Sequence, residues 1–185
     1  MPEVHRDSFF TELLKFALVA LIIVVPIRFF VAQPFIVSGA SMDPTFATGQ
    51  YLIVDELSYR FAPPARGQVI IFRYPKDPSQ YFIKRIIGLP GETVNIKDGQ
   101  VYVTEVSGDT IKLSEPYVSD KGNGADTTVT IPADKYFVMG DNRPESSDSR
   151  TWGLLPRENI IGRAFARLLP LQTASIFPGS TAAQI

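Results

Sequence analysis

One long apolar run near the N-terminus restricts what this chain can become more than any other feature. From residue 16 to residue 32 it is interrupted only by a proline and by Arg28. As a helix rising about 1.5 Å per residue it would cover roughly 26 Å, slightly less than the roughly 30 Å hydrocarbon core of a bilayer. Arg28 lies near its end, where a long side chain can reach the interface. The run predicts a transmembrane anchor over residues 13–32, preceded by a short cytoplasmic N-terminus, residues 1–12.

The basic residues around the run indicate its orientation. Arg6 and Lys15 precede most of it, and between Arg28 and Arg60 the chain has no lysine or arginine. The positive-inside rule then places the N-terminus in the cytoplasm and the downstream chain on the outer side of the plasma (inner) membrane. We therefore predict a single-pass protein.

Two other interpretations of the run stay open. A cleaved signal peptide needs a small residue at position −3 of the cut, and a cut after Ala32 has Phe30 there. The second alternative is a helix buried in a protein core. We favour the retained anchor.

Beyond Gln33 the pattern changes to short β-type runs separated by turns with glycine and proline. Since no helical pattern of 10–15 residues separates these runs, a mainly antiparallel β fold is predicted rather than a parallel α/β sheet. Asp98-Gly99 is typical of a tight hairpin turn. The polar stretch from Ser107 to Thr128 predicts exposed loop, and the tail from Leu168 has no assignment. The predicted strands are Tyr51–Val54, Gln68–Tyr74, Tyr81–Ile87, Thr93–Ile96, Gln100–Val103, Thr127–Ile131 and Tyr136–Met139.

Composition removes several classes of function. The net charge is −1 and no basic cluster dominates a segment, which disfavours nucleic-acid binding. Cysteine is absent, which excludes thiol catalysis, disulfides and cysteine-ligated zinc. The single histidine, His5, precedes the predicted anchor and would lie on the opposite side of the membrane from everything downstream. Under this topology a Ser-His-Asp triad and a histidine-ligated metal site are both excluded.

Ser41 lies directly after the run, in a segment suited to an exposed hydroxyl. A small-residue turn, Ser38-Gly39-Ala40, precedes it, and a turn containing proline follows over residues 42–45. Glycine and proline permit the unusual backbone that an exposed nucleophile needs. Many serine-rich loops look like this, so catalysis would also require a base.

Without a usable histidine, a base for Ser41 must be lysine, aspartate or glutamate. Strand alternation over residues 81–87 places Lys84 on the same face as Phe82 and Ile86, toward the core. Burial disfavours the charged ammonium, and a lysine base needs a pKa far below its usual value of about 10.4. The alternative is an edge-strand lysine whose amine reaches solvent and carries no chemistry.

A third segment, Gly140 to Arg150, is rich in small hydroxyls and opposite charges. A serine hydroxyl there could hold a neutral lysine in place without recharging it. The alternative is an ordinary polar turn, in which surface ion pairs contribute little. The ion pairs that could fix this loop are Asp148 with Arg150, and Asp141 with Arg85 or Arg143.

Taken together, these segments resemble type I signal peptidases (leader peptidases), membrane-anchored serine proteases with a Ser/Lys dyad. The similarity extends in order and spacing from the predicted anchor to about Pro170. The matching motifs are Gly39-x-Ser41-Met42-x-Pro44-Thr45, Gly49-x-x-Leu52-x-Val54, Arg66-Gly67-x-Val69-x-x-Phe72, Lys84-Arg85-Ile86-Ile87-Gly88-Leu89-Pro90-Gly91, Gly140-Asp141-Asn142-Arg143 through Ser146, Asp148-Ser149-Arg150, Trp152-Gly153 and Gly162-x-Ala164.

The resemblance implies that Ser41 is the nucleophile and Lys84 the general base in acylation and deacylation. It implies that Ser146 hydrogen-bonds and orients Lys84, and that the Ser41 N–H contributes to the oxyanion hole. Gly39 stands where some family members have a serine as a second oxyanion donor. The implied supporting residues are Asp141, Arg85, Asp148 and Arg150. The implied pockets for small side chains at −1 and −3 of the cleavage site are lined by Phe35, Val37, Met42, Phe82 and Ile83.

The family fold is mainly antiparallel β with an inserted cap. It implies a catalytic β domain over residues 33–92 and 135–170, a short cap or β-hairpin region over 93–134, and a tail over 171–185. The implied substrates are signal-peptide-bearing preproteins, cut beside the lipid bilayer close to the protein export machinery. No cofactor, metal or nucleic acid is implied.

Two other functions stay open. A self-cleaving Ser/Lys protease of the repressor type would use the same dyad but normally carries a DNA-binding domain. A non-enzymatic, membrane-tethered β module that binds an extracytoplasmic partner would apply if Ser41 and Lys84 lay far apart.

Overall fold

The computed structural model describes residues 9–30, 32–122 and 125–180. His5 and Arg6, in the predicted cytoplasmic N-terminus, lie outside the described residues, as does the end of the predicted tail, residues 181–185.

The apolar run forms one helix, α1 (Phe9–Phe30). Among the described residues, no helix is long and apolar enough to cross a membrane. The predicted transmembrane anchor over residues 13–32 is therefore not confirmed. The large apolar side chains of the first part of α1 are each more than half exposed, namely Phe9, Phe10, Leu13, Leu14, Phe16, Leu18, Val19, Leu21 and Ile22.

Beyond α1 the described chain is built mainly from antiparallel strands, which confirms the predicted fold class. The strands are β1 (Ala32–Ile36), β2 (Tyr51–Asp55), β3 (Val69–Tyr74), β4 (Asp77–Gly88), β5 (Thr93–Lys97), β6 (Gln100–Thr104), β7 (Thr110–Lys112), β8 (Thr127–Thr130), β9 (Lys135–Met139), β10 (Leu155–Pro156), β11 (Ile160–Leu169) and β12 (Ser175–Ile176). The helical turns are α2 (Ser149–Trp152) and the 3₁₀ segments Ser58–Arg60, Arg157–Asn159 and Leu171–Thr173.

Two sheets divide these strands. The larger has the order β1-β2-β11-β3-β4-β9-β10, with β12 pairing with β11, and the smaller has the order β7-β6-β5-β8. Each predicted strand is present, although β4 begins at Asp77 rather than Tyr81. The smaller sheet falls within the predicted insertion, residues 93–134, while the division into domains stays a prediction.

The hairpin between β5 and β6 forms where the sequence predicted it. Asp98 has φ +49° and Gly99 has φ +69°, the two positive values that a type I′ turn requires. The prediction of exposed loop from Ser107 to Thr128 is wrong in part, because β7 lies in this stretch and Leu113 is buried beside it.

The central strand β11 has no counterpart among the predicted strands. It pairs with both β2 and β3 in the larger sheet. Its buried positions include Gly162, Ala164 and Ala166, whose small side chains give a weak apolar signal. A Cβ at Gly162 would overlap the carbonyl oxygen of Asp55. The close approach of β11 to β2 therefore requires glycine at this position.

The larger sheet curls, so that strands far apart in its order face each other across a cleft. β2, β11 and β3 separate β1 from β4. Nevertheless, the ring centroids of Phe35 on β1 and Tyr81 on β4 are 5.5 Å apart. β9 pairs with β4 only from Arg85 to Gly88, so within the described chain residues 81–84 have no strand partner on that side. This open edge of β4 is where the site lies.

Candidate active site

Ser41 and Lys84 meet beside the open edge of β4. Lys84 Nζ donates a hydrogen bond to Ser41 Oγ, 2.6 Å away, and a second one to the carbonyl oxygen of Ile83 at 2.9 Å. The two residues are 43 positions apart in sequence, so tertiary packing brings them together. The binding-module interpretation required them to lie far apart, and that condition is not met.

The position of Lys84 on β4 explains its electrostatics. Lys84 is 4% exposed and lies on the strand face that also carries Phe82 and Ile86. Burial lowers the pKa of Lys84 from 10.5 to about 8, while the charges of Asp148 and Asp141 act in the opposite direction. Lys84 can therefore release its proton close to neutral pH, which a general base must do.

Hydrogen bonds hold the turn that carries Ser41 on both sides. Gly39 has φ +94°, a left-handed conformation that favours glycine. Its N–H donates to Thr48 Oγ1 at 3.1 Å. On the other side, Asn142 donates its backbone N–H to Ser41 O at 3.1 Å and its Nδ2 to Ala40 O at 3.0 Å. Thr48 was not among the predicted site residues.

Gly140 lets the 140–150 loop pack directly against this turn. A Cβ at position 140 would overlap both Ser41 O and Ser146 Oγ. The predicted hydrogen bond between Ser146 and Lys84 is absent from the described structure: Lys84 Nζ donates to Ser41 Oγ and Ile83 O, and the Ser146 hydroxyl donates to Asp148 Oδ2 at 2.8 Å. Ser146 is linked to Lys84 through Asp148, whose charge raises the pKa of that lysine.

The predicted pair of Asp148 and Arg150 is present. Asp148 is fully buried and accepts hydrogen bonds from Arg150 Nε and Nη2, each 2.8 Å long. It also accepts from the backbone N–H of Gly140 at 3.1 Å. Asp148 therefore fixes both ends of the loop that carries Ser146.

Of the alternatives for Asp141, the structure contains the pair with Arg85. Arg85 Nε donates to Oδ1 at 2.8 Å and Nη2 donates to Oδ2 at 2.6 Å, with both side chains at most 1% exposed. Thr45 Oγ1 also donates to Asp141 Oδ2 at 2.6 Å. The carboxylate thus joins β4 to the turn that follows Ser41.

Two supporting residues come from the stretch predicted to be exposed loop. Glu115 forms a buried ion pair with Arg143, whose Nε donates to Gly140 O at 3.1 Å. The ring of Tyr117 lies against Arg85, with 3.8 Å between its centroid and the guanidinium carbon. The sequence signals for this packing were a few apolar residues scattered through a polar stretch, Ile111, Leu113, Tyr117 and Val118.

The tail also supports the site, although its sequence pattern predicts no particular structure. The carbonyl oxygen of Gly179 accepts a hydrogen bond from Arg85 Nη1. Arg167, near the end of β11, donates from Nη1 to Thr45 O at 2.9 Å. The chain after β11 therefore returns beneath the Ser41 turn.

A cavity of about 290 Å³ opens beside Ser41 and Lys84. Of the predicted pocket residues, Phe35, Val37, Phe82 and Ile83 line it. Met42 does not, because it is 1% exposed and packs in the core cluster below the turn. Lining residues outside the predicted pocket set include Ile36, Leu52, Ile71, Tyr81, Glu145 and Ser147. In the described part of the chain, no group of three or more His, Cys, Asp or Glu side chains could hold a metal ion.

The site lies within the part of the chain that matches a known protein family. A family model described as signal peptidase, peptidase S26, matches residues 10–169. This chain belongs to the signal peptidase family. As a member of peptidase S26 it is a serine endopeptidase.

Individual signal peptidases are similar to this chain over most of their own length. A probable signal peptidase I-1 of Synechocystis sp. is 41% identical over 170 residues, covering 88% of this chain and 84% of the relative. A signal peptidase I of Leptolyngbya laminosa is 40% identical, with 89% and 82% covered. A crystal structure of a signal peptidase I from Enterococcus faecalis is 36% identical, covers 55% of this chain and 97% of its own, and has a TM-score of 0.47.

Replacement of Asp141 by asparagine is expected to lower the free energy of unfolding by roughly 3 kcal/mol, because it leaves the Arg85 charge buried without its carboxylate. Urea unfolding of the full chain measures the change. Asp109→Asn, at an exposed turn before β7, serves as the control and should change stability by less than about 0.5 kcal/mol. A loss no larger than that of the control would contradict a stabilising role for the pair.

Proposed function

We propose that this chain removes N-terminal signal peptides from exported preproteins, with Ser41 as nucleophile and Lys84 as general base. The observation that carries this assignment is the 2.6 Å contact between Lys84 Nζ and Ser41 Oγ beside an apolar cleft. Family membership and the names of the relatives support the substrate class.

The proposed chemistry depends on the neutral form of Lys84. With a pKa of about 8, about one lysine in ten is neutral at pH 7, whereas a pKa of 10.5 would leave about one in three thousand. Neutral Lys84 takes the hydroxyl proton as Ser41 Oγ attacks the carbonyl carbon. The peptide C–N bond breaks, the proton passes to the leaving amine, and an acyl-enzyme remains. Lys84 then deprotonates the water that hydrolyses it.

The proposed oxyanion hole is built around the backbone N–H of Ser41. The Ser41 N–H is the first proposed donor, and it makes no hydrogen bond within the described part of the chain. Gly39 cannot offer its own N–H freely, because that group donates to Thr48 Oγ1. Removal of one oxyanion donor typically costs about 2.7–4 kcal/mol of transition-state stabilisation.

We propose that the substrate binds in the cleft as an extended strand. β1 is an edge strand of the larger sheet, and none of the described strands pairs with residues 81–84 of β4 on the side facing away from β3. Both therefore offer backbone groups to a peptide. Since side chains alternate along a strand, those at −1 and −3 would point together toward the apolar floor. Leu52, Ile71 and Ile83 contribute to that floor.

We also propose that α1 holds the enzyme at a lipid bilayer as a single-pass anchor, with the N-terminus cytoplasmic and the catalytic domain outside. The exposed apolar side chains from Phe9 to Ile22 support this attachment, since a helix that exposes large apolar groups on all sides is suited to lipid. Such an arrangement would place the cleft close to an emerging signal peptide and to the export machinery.

Ser41→Ala and Lys84→Ala are each expected to reduce preprotein cleavage by about 10³-fold or more, because the dyad acts as a unit. Cleavage of a labelled preprotein, with circular dichroism to verify folding, measures the effect. The matched controls are Ser107→Ala and Lys135→Ala at exposed positions, which should cleave normally. Undiminished cleavage by either dyad variant would refute the assignment, and cleavage of the chain by itself without substrate would favour the repressor-type alternative.

The rate should depend on pH through Lys84. Because the pKa of this lysine is lowered to about 8, the protonated and inactive form predominates below that pH. We expect kcat/KM to rise about tenfold per pH unit from pH 6 to pH 7.5 and to level off above pH 8.5, since kcat/KM reports the free enzyme. A profile that is flat across this range would contradict a lysine base.

Membrane attachment can be tested with charges placed on α1. Lys substitutions at Leu18 and Leu21 should shift the full chain from the membrane pellet to the supernatant in carbonate extraction, because each charge in a bilayer costs about 2.5–3.5 kcal/mol. The control carries lysines at Thr128 and Glu158, two exposed positions of the β region. An unchanged pellet fraction for the α1 variant would rule out anchoring by this helix.

A further inference from the structure

The cleft contains one acidic side chain that the proposed mechanism does not use. Apart from the phenol of Tyr81, the ionisable side chains among the residues that line the cavity are those of Lys84 and Glu145. These two carry opposite charges. Glu145 belongs to none of the ion pairs found in the described part of the chain. Its carboxylate is exposed and is free to meet a substrate.

The residues on either side hold Glu145 in place. Before it, Arg143 is buried against Glu115, and its carbonyl oxygen accepts from Arg150 Nη2 at 2.8 Å. After it, Ser146 donates to the fully buried Asp148 at 2.8 Å. Pro144 restricts the backbone between these anchors. Glu145 therefore extends from a loop tip whose two ends are both fixed, so little ordering is needed when it meets a charged group.

The extended substrate determines which of its side chains could reach this carboxylate. If the −1 and −3 side chains point to the apolar floor, those at −2 and +1 point away from it, because side chains alternate along a strand. Glu145 and Ser147 come from the 140–150 loop, in which Asn142 hydrogen-bonds to the carbonyl oxygens of Ser41 and Ala40. The loop tip therefore lies at the reacting end of the cleft, where the −2 and +1 residues would be.

The charge of the cleft in the working enzyme then favours positively charged substrate side chains. When Lys84 is neutral, as a base must be, Glu145 is the remaining formal charge among the lining residues. A positive substrate side chain would be attracted and a negative one repelled. Solvent reaches Glu145, so the effect should have the modest size of an exposed ion pair and should weaken with salt.

We propose that Glu145 is a specificity-determining residue that favours preproteins with lysine or arginine at −2 or +1 of the cleavage site and disfavours aspartate or glutamate there. This inference rests on the proposed function, since it concerns the substrate of the same cleft. It assigns a role to a loop position that neither catalysis nor the apolar pockets require.

The test uses full-length enzyme and one preprotein in three versions at each position, with lysine, glutamine or glutamate at −2 and, separately, at +1. The measured quantity is the ratio of kcat/KM for the lysine version to that for the glutamate version. We expect a ratio of about three or more at one of the two positions for the unaltered enzyme, falling toward one in 0.5 M NaCl. Ratios near one at both positions in low salt would overturn the proposal.

Variants separate Glu145 from other sources of charge preference. E145Q should bring the ratio close to one and E145K should invert it, and each ratio is internal to one variant, so a general loss of activity does not affect the comparison. E158Q, at an exposed glutamate on the Arg157–Asn159 turn, should keep the original ratio. An unchanged ratio in E145Q would overturn the inference. Failure of the unaltered enzyme to cut the glutamine version would instead refute the proposed function, and the inference with it.

Discussion

The buried ion pair between Arg85 and Asp141 is the contact on which the rest of the site depends. A guanidinium without solvent is expensive unless each N–H finds an acceptor. Here Nε and Nη2 donate to Asp141, while Nη1 donates to the carbonyl oxygens of Gly67 and Gly179. Tyr117 covers its face. Segments that are far apart in sequence therefore have to converge on one side chain, and the Ser41 turn joins them through Thr45.

The same pair bears on the proposed role of Lys84 as a base. Lys84 and Arg85 are neighbours on β4, so their side chains leave the strand in opposite directions. Arginine keeps its charge in proteins, whereas a buried lysine loses its proton readily. Asp141 and Asp148, whose charges raise the pKa of Lys84, are each paired with an arginine. The desolvation of Lys84 therefore outweighs the attraction of the two carboxylates.

The sequence was informative where a residue type is itself unusual. The absence of a usable histidine leaves lysine among the few possible bases, and strand alternation places Lys84 on a buried face. The predicted strands also had clear apolar or β-branched patterns.

The sequence was uninformative where small or polar residues take their place through packing. β11 was missed because glycine and alanine occupy its buried face, and Glu115 because a buried glutamate looks like a surface one until Arg143 is known to meet it. A hydrogen bond from Ser146 to Lys84 was predicted, but the Ser146 hydroxyl donates to Asp148 instead. This choice of acceptor depends on loop geometry, which residue spacing does not encode.

The hydrogen bond between Arg85 and the Gly179 carbonyl affects when the support of the Ser41 turn can be completed during synthesis of the chain. Ser41 is synthesised early, whereas two residues that support its turn are synthesised much later. Arg167 contacts the base of the turn, and Gly179 contacts the arginine beneath it. A nascent chain that ends before residue 179 has Ser41 and Lys84 but lacks this last acceptor. The order of synthesis therefore delays the complete support of the Ser41 turn until nearly the whole described chain is available.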